Sequence, residues 1–380
     1  MPMPTEIGVD LPLIDHHCHG LVPRDLSRKQ FELMISESFT DAPAGTSHFD
    51  TPLGLSIRAK CAPILGLEPF PDPDAYIERR AALGAAEVNR RFVQAANYDL
   101  LLIDSGFRST DIMTPQQMAE GVGVPTREVV RIEAIAERVG KSGVGAAEFS
   151  RAFADELAAA SKTAVGLKSI IAYRGGFDFD PAPPSKDDVV AAAGKWLPEI
   201  QAGRARMEEP TLLRHGLWVG AELAKQRKMP IQFHVGFGDR DAIIHKNNPS
   251  LLMPFLQSLN EMGVNVTMLH CFPFHRVAGY MAEVFPNVYF DVGVILHYTG
   301  PSAWRILGEA LEIAPFTKQL YSSDAFGVAE FYYLGALLFR TGLRRQMDQW
   351  ISDGFCNVRE AERIAGLIAG DNARRIYPLG

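Results

Sequence analysis

Several of the ten histidines in this 380-residue chain stand where hydrophobic runs end. His17 and His19 close the run 11–19 (LPLIDHHCH), two residues apart. Residues i and i+2 of a strand face the same side, so both imidazoles can grip one metal ion, while His16 points the other way. His234 falls in the run 230–239, His270 in 264–272 and Asp324 in 318–327. Imidazoles together with a carboxylate suit Zn²⁺ and similar divalent ions, and catalytic sites keep a position open for water. That water then ionises near pH ~7. A carboxylate beside it can carry its proton to a leaving group, and a histidine off the metal can polarise a carbonyl. Singly, each residue has a plainer explanation. A strand histidine is more often structural, and Asp324 in Ser-Ser-Asp-Ala could cap a helix. The weight lies in their conjunction.

The elements that must position these groups are eight short apolar runs: 11–19, 98–107, 129–135, 164–173, 230–239, 264–272, 287–294 and 318–327. Amphipathic helical patterns separate them, as at 146–162, 185–199, 250–262, 275–285 and 301–314. Strands alternating with helices imply an α/β fold with a parallel sheet. Eight units predict a single (β/α)8 TIM-like barrel, whose catalytic groups gather at the C-terminal ends of its strands. The interval 20–97, rich in proline at Pro63, Pro69, Pro71 and Pro73, reads as a helical insertion or cap after the first strand. It is most regular over 74–97. One long helix is expected within 201–229 and closing helices over 328–375, so residues 1–380 form one domain.

Composition narrows the partners. With 38 Lys+Arg against 45 Asp+Glu the formal charge is −7, which argues against nucleic acid. No apolar run reaches the ~18 residues of a membrane span. The N-terminus MPMPTEIGVDLPLID lacks the pattern of a secretory signal. Four scattered cysteines fit reduced thiols in a cytoplasmic protein.

Other polar residues carry two readings each. Arg174 could clamp a substrate carboxylate in bidentate fashion or brace its loop, and Tyr173 could hydrogen-bond to substrate. Asp239 could orient a ligand histidine or brace its turn. Glu133, read on the third strand, could pair with Lys168. His245 and His297 fall on loops, and His275 at a helix start. Within the insertion, Phe31, Phe39, His48 and Phe49 could wall the pocket or serve an oligomer interface.

The stretches Ile14-Asp15-His16-His17-Cys18-His19, His234–Asp239, Leu269-His270-Cys271 and Ser323-Asp324-Ala325 resemble the amidohydrolase superfamily. The nearer likeness is to its amidohydrolase 2 branch, which holds aminocarboxymuconate-semialdehyde decarboxylase and the amidohydrolase-like domain fused to glutamine synthetase in nodulin-like proteins. Supporting likenesses are Gly166–Ser169, Ala172–Arg174, Asn287–Asp291 and Asn372–Arg375. The resemblance implies His17, His19 and His234 as metal ligands, and Asp324 as ligand or general base. It implies His270 as a polarising group or as a ligand of a second ion. Lys168 falls where some members carry a carbamylated lysine bridging two ions. The apolar residues after it suggest that it lies deeper than the rim. The expected cofactor is one or two divalent ions per chain, zinc first, with manganese or iron as alternatives. The expected activity is hydrolysis of an amide-type C–N bond in a small carboxylate-bearing substrate by a metal-activated water. The alternatives are a metal-dependent non-oxidative decarboxylase of a small unsaturated or aromatic acid, and a catalytically silent binding domain. A homodimer is the assembly such folds commonly adopt.

Overall fold

The computed structural model describes residue 8 and residues 10–379. The reading of a leaderless N-terminus falls largely on residues 1–7 and 9, outside the described residues. Seven strands are found among the described residues: β1 (Leu13–Cys18), β2 (Tyr98–Asp104), β3 (Thr126–Arg131), β4 (Gly166–Ser169), β5 (Ile231–Val235), β6 (Val266–His270) and β7 (Val288–Phe290). They form one sheet in sequential order, and every neighbouring pair is parallel. Every residue of β1, β4, β5, β6 and β7 is buried. Strands covered on both faces read as near-continuous apolar runs, which is why these segments stood out.

Two cores result. The larger lies between sheet and helices. A smaller one gathers Ile14, Leu102, Val129, Tyr289 and Tyr377. The Tyr377 hydroxyl meets His16 of β1 at 2.9 Å, Gln232 of β5 at 3.0 Å and Thr267 of β6 at 3.4 Å. A side chain that touches strands so far apart in the order must lie inside the curl of the sheet.

The expected eighth strand is not one. Asp324 sits at φ 50°, outside the β region, so 319–327 cannot run as regular strand. Its backbone nevertheless bonds on both sides. Leu320 N–H donates to Phe290 C=O of β7 at 3.0 Å, and His16 N–H of β1 donates to Tyr321 C=O at 3.2 Å. Further along, Asp324 N–H donates to His17 C=O at 3.0 Å, and His19 N–H to Ala325 C=O at 2.8 Å.

Between β1 and β2 run the helices Arg28–Met34, Pro52–Ser56, Pro73–Leu83 and Ala85–Ala95. A capping box of Ser27 and Gln30 starts the first. Gly84 at φ 79° separates the last two, within the regular interval 74–97. Glu330 of the helix Ala329–Ser352 accepts from Tyr76 and Arg80, both at 2.7 Å, and pins this region to the body. No helix among the described residues is long and apolar enough to cross a membrane.

Candidate metal centre and pocket

His17, His19 and Asp324 bring one ligand atom each within 4.8 Å of one another. Asp324 Oδ1 lies 3.1 Å from His17 Nε2 and 3.4 Å from His19 Nε2. Its Oδ2 lies 3.5 Å from His270 Nε2. The far side of each of the two N-terminal rings is fixed by an acceptor. His17 Nδ1 meets Gln232 Oε1 at 2.8 Å and His19 Nδ1 meets Asp104 C=O at 3.0 Å. Carbonyl oxygens only accept, so both Nδ1 atoms carry a proton and Nε2 of each ring is the atom left to ligate. Gln232 is itself oriented, because its amide donates to His16 C=O at 2.7 Å and to Tyr377 at 3.0 Å.

Two lone pairs aimed at a carboxylate oxygen repel unless a cation lies between them. A proton does not serve well. Burial and the neighbouring Lys168 push His17 down to about 3. Burial would raise the Asp324 carboxyl, but His270, His17 and His19 hold it well below the usual carboxylate range. Two imidazoles that turn Nε2 to one place, an ionised carboxylate and fixed outer partners are the donor chemistry of a divalent-ion site. The residues therefore fit the group.

The backbone here is held in uncommon conformations. His270 and Cys271 sit at φ 70° and 56°, and Asp324 at 50°. Such geometry costs about 1–3 kcal/mol per residue and needs bracing. Asp291 accepts from His270 N–H at 2.9 Å, Gly293 N–H at 2.7 Å and Ser322 Oγ at 2.8 Å. It also pairs with His16 Nε2 at 2.9 Å. Burial opposes its ionisation, but the His16 contact and these donors hold its carboxyl below the ordinary range. Asp15 accepts from Ser323 N–H at 3.0 Å, from the Ser323 hydroxyl and from His17 N–H. Burial pushes its carboxyl up to about 8 against those donors. His16 thus stays out of the cluster. A register irregularity between Asp15 and Cys18 breaks simple alternation, so His16 points at Asp291 and Tyr377 inside the sheet, not at a helix layer.

Lys168 is not deeper than the rim. β4 ends at Ser169, and Lys168 Nζ lies 3.3 Å from His17 Nε2. Burial lowers its pKa to about 8, opposed by Asp104 and Asp324. Glu133 does not pair with it. β3 ends at Arg131, so Glu133 lies in the first turn of the helix Ile132–Lys141 and accepts from Ser169 Oγ at 2.6 Å and Ile170 N–H at 3.0 Å.

His234 stands outside the tight group of three. Its ring lies 4.8 Å from that of His270 and 4.3 Å from that of Tyr173, and its buried Nε2 has no partner. A Cβ on Gly238 would come within 1.9 Å of Tyr173 Oη and 2.9 Å of His234 Nε2, so only glycine allows this approach. Tyr173 and Arg174 occupy the short helix Ile171–Arg174 and line a cavity of ≈ 250 Å³ over the cluster. Asp239 lines it too, yet its Oδ1 accepts from Asp241 N–H at 2.9 Å. It braces its own turn and orients no histidine.

Of the insertion residues, Phe39 lines the cavity, joined by Met34, Ser36 and Glu37. Phe31 and Phe49 instead stack at 5.6 Å beside Tyr76 in a core. His48 bonds Thr40 C=O at 2.9 Å. His297 is buried and lines the cavity, whereas His245 does not. His275 meets Glu309 at 2.7 Å in a structural role.

Reasoning from sequence missed Asp104, Arg131, Gln232 and Glu37. Arg131 Nη2 lies 2.5 Å from Asp104 Oδ2. Burial opposes the Asp104 charge, but Arg131 holds that carboxyl far below its ordinary value. These two residues end β2 and β3, so the strand-end rule used for the histidines would have found them. Gln232 and Glu37 carry no such signal.

The amidohydrolase family pattern matches residues 14–379. A solved structure named as a candidate metal-dependent hydrolase from Lactobacillus casei superposes with TM-score 0.83 at 31% identity, over 97% of this chain and 96% of that one. A uronate isomerase from Thermotoga maritima aligns with TM-score 0.65 at 12% identity, over 98% and 95% of the two chains, which is a likeness of fold alone. Protein fluG of Emericella nidulans is 28% identical over 404 residues, covering 97% of this chain and 46% of fluG. The chain thus spans about half the length of that relative.

Proposed function

The chain belongs to the amidohydrolase family and is an enzyme of the hydrolase type, and from that premise we propose that it cleaves an amide-type C–N bond in a small carboxylate-bearing substrate. The carrying observation is the pair of Nε2 atoms of His17 and His19 turned to one oxygen of Asp324. We read His17, His19 and Asp324 as the holders of one divalent ion, zinc first and manganese or iron as alternatives, with unpartnered His234 as a further ligand. Such an ion supplies a Lewis acid that makes water acidic near pH ~7.

The chain's own groups do the rest. Asp324, held ionised, takes a proton from the attacking water and returns it to the departing nitrogen. The water oxygen bonds to the carbonyl carbon, the C–N bond breaks, and a carboxylate and an amine leave. We assign to His270 the donation of a hydrogen bond to the carbonyl oxygen as it gains charge. Arg174 and Tyr173 hold the substrate carboxylate and its neighbouring polar group. Lys168, attracted by Asp104 and Asp324, serves as an amine and not as a bridge between two ions. We read residues 1–380 as one (β/α)8 barrel domain with 319–327 in the eighth position and 20–97 as its cap. The hydrogen bonds of 319–327 to β7 and β1 support that closure.

The test is a panel of small amides and carboxylic acids given to the metal-loaded protein, with amine release and CO₂ release followed side by side. Amine release that disappears in Asp324→Asn is expected. CO₂ release without amine release overturns the reading in favour of decarboxylation.

A further inference from the structure

Four carboxylates and four cationic side chains line the cavity, and most are satisfied within the protein. Asp324 faces three histidines. Arg131 is bound to Asp104, and Arg206 to Glu208 at 2.6 Å and Asp241 at 3.2 Å. Lys168 touches His17 under the pull of Asp104 and Asp324. Asp239 closes its own turn. Lys168 and Asp239 form no salt bridge beyond these contacts, and neither do Glu37 and Arg174 among the described residues. Of the last two, the Glu37 carboxylate has a single side-chain donor and the Arg174 guanidinium has a buried Nε with no acceptor.

Each is placed as if waiting for a counter-charge. Glu37 follows the capped helix Arg28–Met34 and is held by the Tyr298 hydroxyl, which donates to Oε1 at 2.8 Å. That one donor leaves the carboxylate with open acceptor positions. Burial pushes its carboxyl up to about 7 against the Tyr298 donor, and Asp324 and Asp239 add to the rise. A nearby cation reverses that cost. Tyr298, which holds Glu37, and Phe331 line the same cavity with ring centroids 6.1 Å apart, and aromatic faces attract an ammonium group. Arg174 presents the opposite case. Its Nε is buried with no acceptor, and burial lowers its pKa, so an anion there restores what burial took.

The topology separates the two. Arg174 follows β4, while Glu37 and Tyr298 hang from the segments after β1 and β7. The sheet runs from β1 to β7 and is joined back through 319–327, so β4 stands opposite that junction and the His17–His19–Asp324 cluster lies at it. We propose that the substrate is a small zwitterion whose ammonium group is bound by Glu37 and whose carboxylate is bound by Arg174, with the amide carbon between them over the cluster. The position of the amide rests on the hydrolase reading, whereas recognition of the two charges does not need turnover.

The experiment is calorimetric titration of the full-length, metal-loaded protein with matched probes. The zwitterions are glycyl-, β-alanyl- and 4-aminobutyryl-glycine. Their deamino partners are acetyl-, propionyl- and butyryl-glycine, and their carboxyl-blocked partners are the corresponding glycinamides. At least one zwitterion binds about tenfold tighter than both of its partners, the expectation for one buried charge-assisted contact at each end. Glu37→Gln brings that zwitterion to the level of its deamino partner, and Arg174→Met brings it to the level of its glycinamide. The proposal is overturned if no zwitterion exceeds its partners in the unmutated protein, or if Glu37→Gln weakens both members of a deamino pair equally. Amine release measured on the same samples judges the hydrolase reading separately. Charge-selective binding without amine release keeps the zwitterion site and refutes amide cleavage.

Discussion

Gln232→Leu puts a side chain of similar size at a position that is fully buried inside the sheet and does not line the cavity. Gln232 accepts from His17 Nδ1 at 2.8 Å and donates to His16 C=O at 2.7 Å and Tyr377 at 3.0 Å. Leucine orphans the His17 N–H and the His16 carbonyl, whereas Tyr377 keeps its contacts with His16 and Thr267. Two buried polar groups left unpaired cost about 1–3 kcal/mol each, so stability falls by about 2–6 kcal/mol. The effect on the metal has a separate origin. Without an acceptor at Nδ1, His17 can shift its proton to Nε2, and a protonated nitrogen cannot ligate. Loss of such an outer partner costs about 10–100-fold in metal affinity. The assay is a zinc titration against a competing chelator at a temperature where the variant is folded, with thermal melting alongside. Gln232→Glu is the companion, because it keeps an acceptor for His17 and loses the donors. It should lose stability and retain more of the metal affinity. Unchanged zinc affinity in folded Gln232→Leu would refute the claim that His17 is a ligand oriented through its far nitrogen.

Asp324→Asn should reduce turnover to background while the fold persists, since an amide cannot take a proton from water; single-turnover amine release checks it. Arg131→Met leaves the Asp104 charge buried without its partner and should cost about 3–5 kcal/mol, read from denaturant unfolding. Burial pushes His297 down to about 3 from an ordinary 6.5. Between those values the unfolded chain binds a proton that the folded chain does not, so stability falls as pH falls through the window from 6.5 to 3. His297→Phe should flatten that part of the melting temperature against pH curve, and an unaltered slope would contradict its buried neutral state. Chelation should lower the melting temperature, and readdition should restore it at one equivalent of divalent ion per chain; two equivalents would overturn the assignment of Lys168 as an amine.

Much of the fold could be read from runs of buried residues. Strands covered on both sides are nearly all apolar, so each run stood out, and the helices between them followed from their amphipathic period. The exception was the run 318–327. Its composition matched its neighbours, but Asp324 adopts a left-handed conformation that no hydrophobic pattern reports. Strand ends misled in smaller ways. β3 stops at Arg131 and β4 at Ser169, which moved Glu133 onto a helix and brought Lys168 to the metal cluster. The insertion was legible as helical, but not which of its residues faces the cavity. Phe31 and Phe49 pack inward while Phe39 and Glu37 reach the pocket, because that choice depends on how the cap docks through Tyr76, Arg80 and Glu330.

The sequence by itself determined the parallel strand–helix alternation and the candidate chemistry of His17, His19, His234, His270 and Asp324, because both are local properties of short runs. Only the tertiary structure decided which nitrogen of His17 and of His19 is turned to the site, that His234 stands apart from the group of three, and that Glu37 and Arg174 face one cavity without an ion pair. Those facts depend on contacts between residues up to hundreds of positions apart, such as Ser323 with Asp15, and no local pattern encodes a distance across a closed interior.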